Sequence, residues 1–101
     1  MAPRVPIDSK ELQAVCRRNN VRRLALYGSV LRPDFGADSD VDVLVEFNAA
    51  QVPGLFGIAR MERELAMMFG RRVDLRTPED LSRYFRQTVV DQAEVQCAES
   101  G

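Results

Sequence analysis

With 101 residues, the chain has material for one hydrophobic core, so a single domain over residues 1–101 is expected. A content of 46% hydrophobic and 29% charged residues excludes an intrinsically disordered chain. The net charge of −1 argues against a protein that lives on nucleic acid, where a basic excess supplies most of the affinity.

In chain order, Pro3 and Pro6 mark a loose start. Asp8 with Glu11 resembles a capping box, and Leu12, Val15 and Cys16 follow at helical spacing, so a first helix runs to about Asn19-Asn20. Arg22 to Tyr27 reads as the first strand, with Leu24 and Leu26 on one face. Gly28-Ser29 is a tight turn, Ser29 to Arg32 one helical turn before Pro33, and residues 33–39 a loop. Val41 to Phe47 is a second strand rich in β-branched residues. After the Pro53-Gly54 breaker, Leu55, Ile58, Ala59, Leu65, Ala66 and Phe69 recur at helical intervals, which predicts an amphipathic helix of about four turns. Gly70 ends it, and Arg71-Arg72 suits its negative end. Val73 to Arg76 is a short third strand, and Thr77-Pro78 opens a further helix. From Leu81 the pattern is helical but irregular, and residues 93–98 fit either helix or a final edge strand. Phe35, Phe56, Tyr84 and Phe85 are undivided between core and interface. The fold class is α/β (α+β): a small mixed β-sheet of three to four strands flanked by helices.

The chemistry centres on Gly28-Ser29 and Asp40-Val41-Asp42. On a strand, Asp40 and Asp42 point to one face while Val41, Val43 and Val45 point to the other. Two carboxylates that close repel. A hard divalent ion such as Mg²⁺ or Mn²⁺ removes the conflict. At Gly28 the absence of a Cβ lets backbone N–H groups approach phosphate oxygens, and the Ser29 hydroxyl can donate another hydrogen bond. Taken alone, a Gly-Ser pair is an ordinary turn, and the two aspartates are solvated residues at a strand entry. Asp74, between Val73 and Leu75, is by itself an exposed strand position. Beside Asp40 and Asp42 on a neighbouring strand, it completes a three-carboxylate cluster able to hold two divalent ions. The loop aspartates Asp34 and Asp38 are read as facing solvent. No histidine is present, so proton transfer falls to a carboxylate, lysine, tyrosine or water.

Gly-Ser, ten residues, Asp-x-Asp, then a distant Asp on the next strand resembles the minimal nucleotidyltransferase family of the polymerase-β-like superfamily. The surrounding Leu-Tyr-Gly-Ser-Val-Leu-Arg-Pro-Asp-Phe and Asp-Ser-Asp-Val-Asp-Val-Leu-Val-Glu-Phe are similar to that family throughout. The resemblance implies a polymerase-β-like nucleotidyltransferase fold and transfer of AMP from ATP, with pyrophosphate leaving. It implies two Mg²⁺ ions on Asp40, Asp42 and Asp74, which are then both the catalytic and the metal-binding residues, with Asp74 as the base for the acceptor hydroxyl. Gly28, Ser29 and Arg32 are the nucleotide-binding candidates. Where family members commonly carry a more basic segment after Gly-Ser, this chain has Val30-Leu31 before Arg32. The implied partner is a cognate HEPN-type RNase toxin, neutralised by adenylylation of a tyrosine. Two alternatives share the fold: an antitoxin that neutralises by binding alone, and a nucleotidyltransferase for a small molecule, whose acceptor pocket a homo-oligomer interface could build.

The oligomeric state stays open. Direct nucleic-acid binding through Arg17-Arg18, Arg22-Arg23 and Arg71-Arg72 is the weakest reading, because acidic residues are interspersed. Cys16 and Cys97 fit no metal spacing and read as free thiols of a reducing compartment. No apolar run approaches ~18 residues and the N-terminus has no signal-peptide core, so no membrane partner is expected and the location is cytoplasmic.

Overall fold

A computed structural model describes residues 7–31, 36, 39–48 and 53–98, without the side chains of Ser29 and Val30. Arg32, Asp34, Phe35 and Asp38 lie outside the described residues. The elements are helix α1 (Ser9–Arg18), strand β1 (Val21–Tyr27), a 3-10 turn at Gly28–Leu31, strand β2 (Val41–Phe47), helix α2 (Leu55–Phe69), strand β3 (Val73–Arg76), a 3-10 turn at Pro78–Asp80, helix α3 (Arg86–Gln92) and strand β4 (Glu94–Ala98).

Local chemistry explains most of these boundaries. The Asp8 carboxylate accepts from the N–H groups of Lys10 and Glu11 at 3.1 and 3.2 Å, satisfying two of the donors that a helix start leaves open. At its other end α1 carries Arg17 and Arg18, cations that suit the negative end of the helix dipole. The turn into β1 uses Asn20 at φ 58°, a left-handed conformation that asparagine tolerates better than most residues. Helix α2 stops at Gly70, whose φ of 68° is likewise left-handed.

The four strands run in the order β3-β2-β1-β4. β1 is antiparallel to both β2 and β4, whereas β2 and β3 are parallel, with α2 as the crossover that parallel strands require. Alternation divides the sheet. Leu24, Leu26, Val41, Val43, Val45, Val73 and Leu75 join Leu12, Val15 and Cys16 of α1 and Met61, Leu65 and Phe69 of α2 in one buried cluster. Both long helices therefore cover one face, and burial of these side chains supplies the main drive for folding. Opposite lie Arg23, Ala25 and Tyr27 of β1, Asp42, Leu44 and Glu46 of β2, and Asp74 and Arg76 of β3, by the same period of two.

Two expectations change. The helix predicted from Thr77 closes as a single turn, in which Asp80 accepts from the N–H and hydroxyl of Thr77 at 3.0 and 3.1 Å. These bonds hold the Asp80 carboxyl below its usual range. The chain then turns extended at Leu81, and helix resumes only at Arg86. Residues 94–98, ambiguous by pattern, form an edge strand because β1 offers them an unpaired ladder. That pairing also brings Cys97 beside Cys16. Both thiols are free, and burial, with Cys97 as hydrogen-bond partner, pushes the Cys16 thiol well above its ordinary value.

Candidate active site

The parallel register of β2 and β3 pairs Asp42 with Asp74. Residues paired in this way point to the same face, so the two carboxylates stand side by side on the sheet face opposite the long helices. Tyr27 pairs with Asp42 from the other side. Burial pushes the Tyr27 phenol up to about 12, and the charges of Asp42, Asp74 and Asp80 add to the rise while Arg76 opposes it. Tyr27, Asp42, Asp74, Arg76 and Asp80 thus form one electrostatic neighbourhood.

Gly28 directly follows Tyr27 and has φ 74°. A Cβ there would stand 2.6 Å from Asp42 Oδ2, well inside contact distance. The backbone conformation favours glycine, and a Cβ would in addition push aside the Asp42 carboxylate lodged against it. Ser29 opens the 3-10 turn with Gly28, and Arg32 lies outside the described residues.

Asp40 precedes β2, whose first residue is Val41. Its carboxylate meets Arg72 Nε at 3.2 Å, and a backbone bond of 2.9 Å from Val41 N–H to the Arg72 carbonyl ties the two segments. Asp74 meets Arg76 Nε at 3.1 Å. Asp40 and Asp74 share a concavity of about 320 Å³ with Glu62, Arg63, Ala66, Arg72 and Val73. Asp42 is not among those lining residues. Glu62 accepts the Leu75 N–H at 3.1 Å, which satisfies a donor on the edge strand.

Among the described residues, no three acidic or thiol side chains are grouped as a ready-made cation site. Asp40 and Asp74 are each turned to an arginine instead. The residues nonetheless fit a hard divalent ion. The donors are carboxylate oxygens, and the space kept open at Gly28 is the space Asp42 uses. The Asp40–Arg72 pair is exposed and contributes at most about 1 kcal/mol, so a divalent ion can displace the guanidinium at little cost.

Four residues at or beside this site escaped the sequence reading: Tyr27, Arg72, Arg76 and Asp80. Tyr27 had a signal, since it alternates with Leu24 and Leu26 in the same strand and so lies on Asp42's face. Arg76 had one also, two positions after Asp74. Arg72 had none, having been read as a helix-end cation.

A small mixed sheet with helices on one face, and paired aspartates beside a glycine turn on the other, defines a nucleotidyltransferase domain. The family model described as "Nucleotidyltransferase domain" matches residues 9–96, and the chain belongs to that family. It is 36% identical over 81 residues to the protein adenylyltransferase MntA of Thermococcus cleftensis, covering 80% of this chain and 77% of the relative. Among solved structures, a chain of a toxin-antitoxin complex with AMP-PNP superposes with TM-score 0.72 at 21% identity, covering 93% of this chain and 76% of that one. A chain from the tri-AMPylated Shewanella oneidensis HEPN toxin in complex with its MNT antitoxin gives TM-score 0.64 at 22% identity, covering 90% and 70%. These structures share the polymerase-β-like fold expected from the sequence, and the family makes the chain a nucleotidyltransferase. No described helix is long and apolar enough to cross a membrane.

Proposed function

We propose that this chain is an antitoxin that transfers AMP from ATP to a hydroxyl, a tyrosine side chain, of a cognate HEPN-type RNase toxin. The observation that carries the proposal is the pairing of Asp42 with Asp74 beside Gly28, against which the Asp42 carboxylate lodges. Two further facts support it: the similarity to a protein adenylyltransferase and the fold shared with antitoxins crystallised with their toxins. Phe56, Tyr84 and Phe85 are 94%, 77% and 67% exposed, which takes these three out of the core and offers apolar surface of the kind that protein partners cover.

In this reading, Asp40, Asp42 and Asp74 are the ligands for two Mg²⁺ ions. When bound, the ions neutralise the triphosphate and polarise the α-phosphoryl group. Gly28 and Ser29 bring backbone N–H groups to the phosphates, and Arg32 is assigned to the same role. The acceptor oxygen forms a bond to the α-phosphorus, the bond from that phosphorus to the bridging oxygen breaks, and pyrophosphate leaves. Asp74 takes the acceptor's proton. The chain thus works mainly by positioning and charge neutralisation.

The arginine pairing of Asp40 and Asp74 favours a second reading, in which the antitoxin neutralises by binding alone. Replacing Asp40 and Asp42 together by Asn separates the two. Labelled AMP should pass from ATP to the toxin with the native chain and Mg²⁺, and both labelling and neutralisation should vanish with the double variant. Neutralisation that survives without labelling would establish the binding reading instead.

A further inference from the structure

Asp40 and Asp74 each meet an exposed arginine from the same stretch of chain. Arg72 lies just ahead of β3, with its side chain 84% exposed, and meets Asp40 at 3.2 Å. Arg76 is the last residue of β3 and meets Asp74 at 3.1 Å. Meanwhile Val30-Leu31, directly after Gly28-Ser29, supplies no cation. Beyond Arg32, assigned above to the phosphates, a triphosphate brought to this face calls for further positive partners.

We propose that Arg72 and Arg76 bind the triphosphate, and that in the nucleotide-free protein they are held in reserve as the ion partners of Asp40 and Asp74. The inference rests on the function proposed above and adds to Arg32 two further phosphate-binding cations. Asp74 stands paired with Asp42, and Asp40 lies at the entry to the same strand; the two guanidiniums supply the counter-charge, one for each. A divalent ion on the carboxylates competes them away, and the incoming phosphates give them a new partner. Because both pairs are solvent-exposed, the exchange opposes binding only weakly. Guanidinium suits it better than ammonium would, since its planar fork can pair with carboxylate and phosphate alike through two parallel hydrogen bonds. The exchange also couples metal and nucleotide: cation arrival releases the side chains that receive the phosphates.

The signature is a change of opposite sign in two affinities. In the full-length Arg72→Gln and Arg76→Gln variants, Mn²⁺ without nucleotide should bind up to about fivefold more tightly than to the native chain, because a competing cation is gone. AMP-PNP in the presence of Mn²⁺ should bind about tenfold more weakly, because a charge-assisted contact is lost. Arg76→Lys should recover part of the AMP-PNP loss. Electron paramagnetic resonance reads the free Mn²⁺, and titration calorimetry reads the nucleotide. AMP-PNP affinity unchanged in both variants overturns the inference, as does Mn²⁺ affinity that is unchanged or weakened. Native protein that binds Mn²⁺ but not AMP-PNP would instead remove the proposed function, and the role of the arginines with it.

Discussion

Replacing Gly28 by Ala tests the site at its tightest point, and Gly70 supplies the control. Both glycines have left-handed backbones, with φ of 74° and 68°. A side chain in that conformation costs about 1–2 kcal/mol, so each variant should lose about 4–16 °C in Tm at about 4–8 °C per kcal/mol for a domain of this size. The two differ in what the new methyl meets. At Gly70 nothing lies within 4 Å, whereas at Gly28 Asp42 Oδ2 is 2.6 Å away and must retreat toward 3.4 Å or beyond. A displacement approaching 1 Å in a reacting constellation costs about 10²-fold in rate. Gly70→Ala should therefore lose stability alone. Gly28→Ala should lose stability, Mn²⁺ affinity and at least most of its nucleotide transfer. Thermal melts, Mn²⁺ titration and labelled AMP transfer on the two variants make the comparison. Equal metal binding and transfer in both would show that Asp42 does not depend on the empty space at Gly28, and the reasoning about the site would fail.

Tyr27 should report cation binding optically. Its phenol is raised to about 12 from an ordinary value of about 10, so the neutral form is the one the fold favours. The stabilisation is complete below pH ~10 and is lost as pH rises through the folded value. Since Asp42 and Asp74 contribute to the rise, Asp42→Asn should shift the tyrosinate absorbance titration of a Tyr84→Phe background toward lower pH; no shift would mean that the phenol does not sense these carboxylates. In the core, Leu65→Ala removes a fully buried side chain between helix and sheet and should cost about 2–5 kcal/mol, measured by urea unfolding. A loss below about 1 kcal/mol would place Leu65 outside the structural core.

The regular elements were legible because their patterns are local. Val41, Val43 and Val45 alternate with Asp42 and Leu44, and this period of two placed the valines against the long helices, although Leu44 on the other face is buried as well. The apolar positions of α2, and Gly70 after it, gave that helix its length. Local pattern failed where pairing decides. Residues 94–98 are amphipathic enough for either state, and only the open edge of β1 makes them a strand. Thr77 signalled a helix start correctly, yet the helix did not continue because Leu81 turns extended.

Sequence alone determined the fold class and the turn at Gly28, and it made Asp40, Asp42 and Asp74 the candidate site residues, since residue type, spacing and alternation are properties of a short stretch. Tertiary structure decided which groups meet. The parallel register sets Asp42 against Asp74, β1 adds Tyr27, and Arg72 and Arg76 take the places beside Asp40 and Asp74. No spacing rule contains these contacts, because charges interact through distance in space, and that distance is fixed only when strands remote in sequence are packed into one sheet.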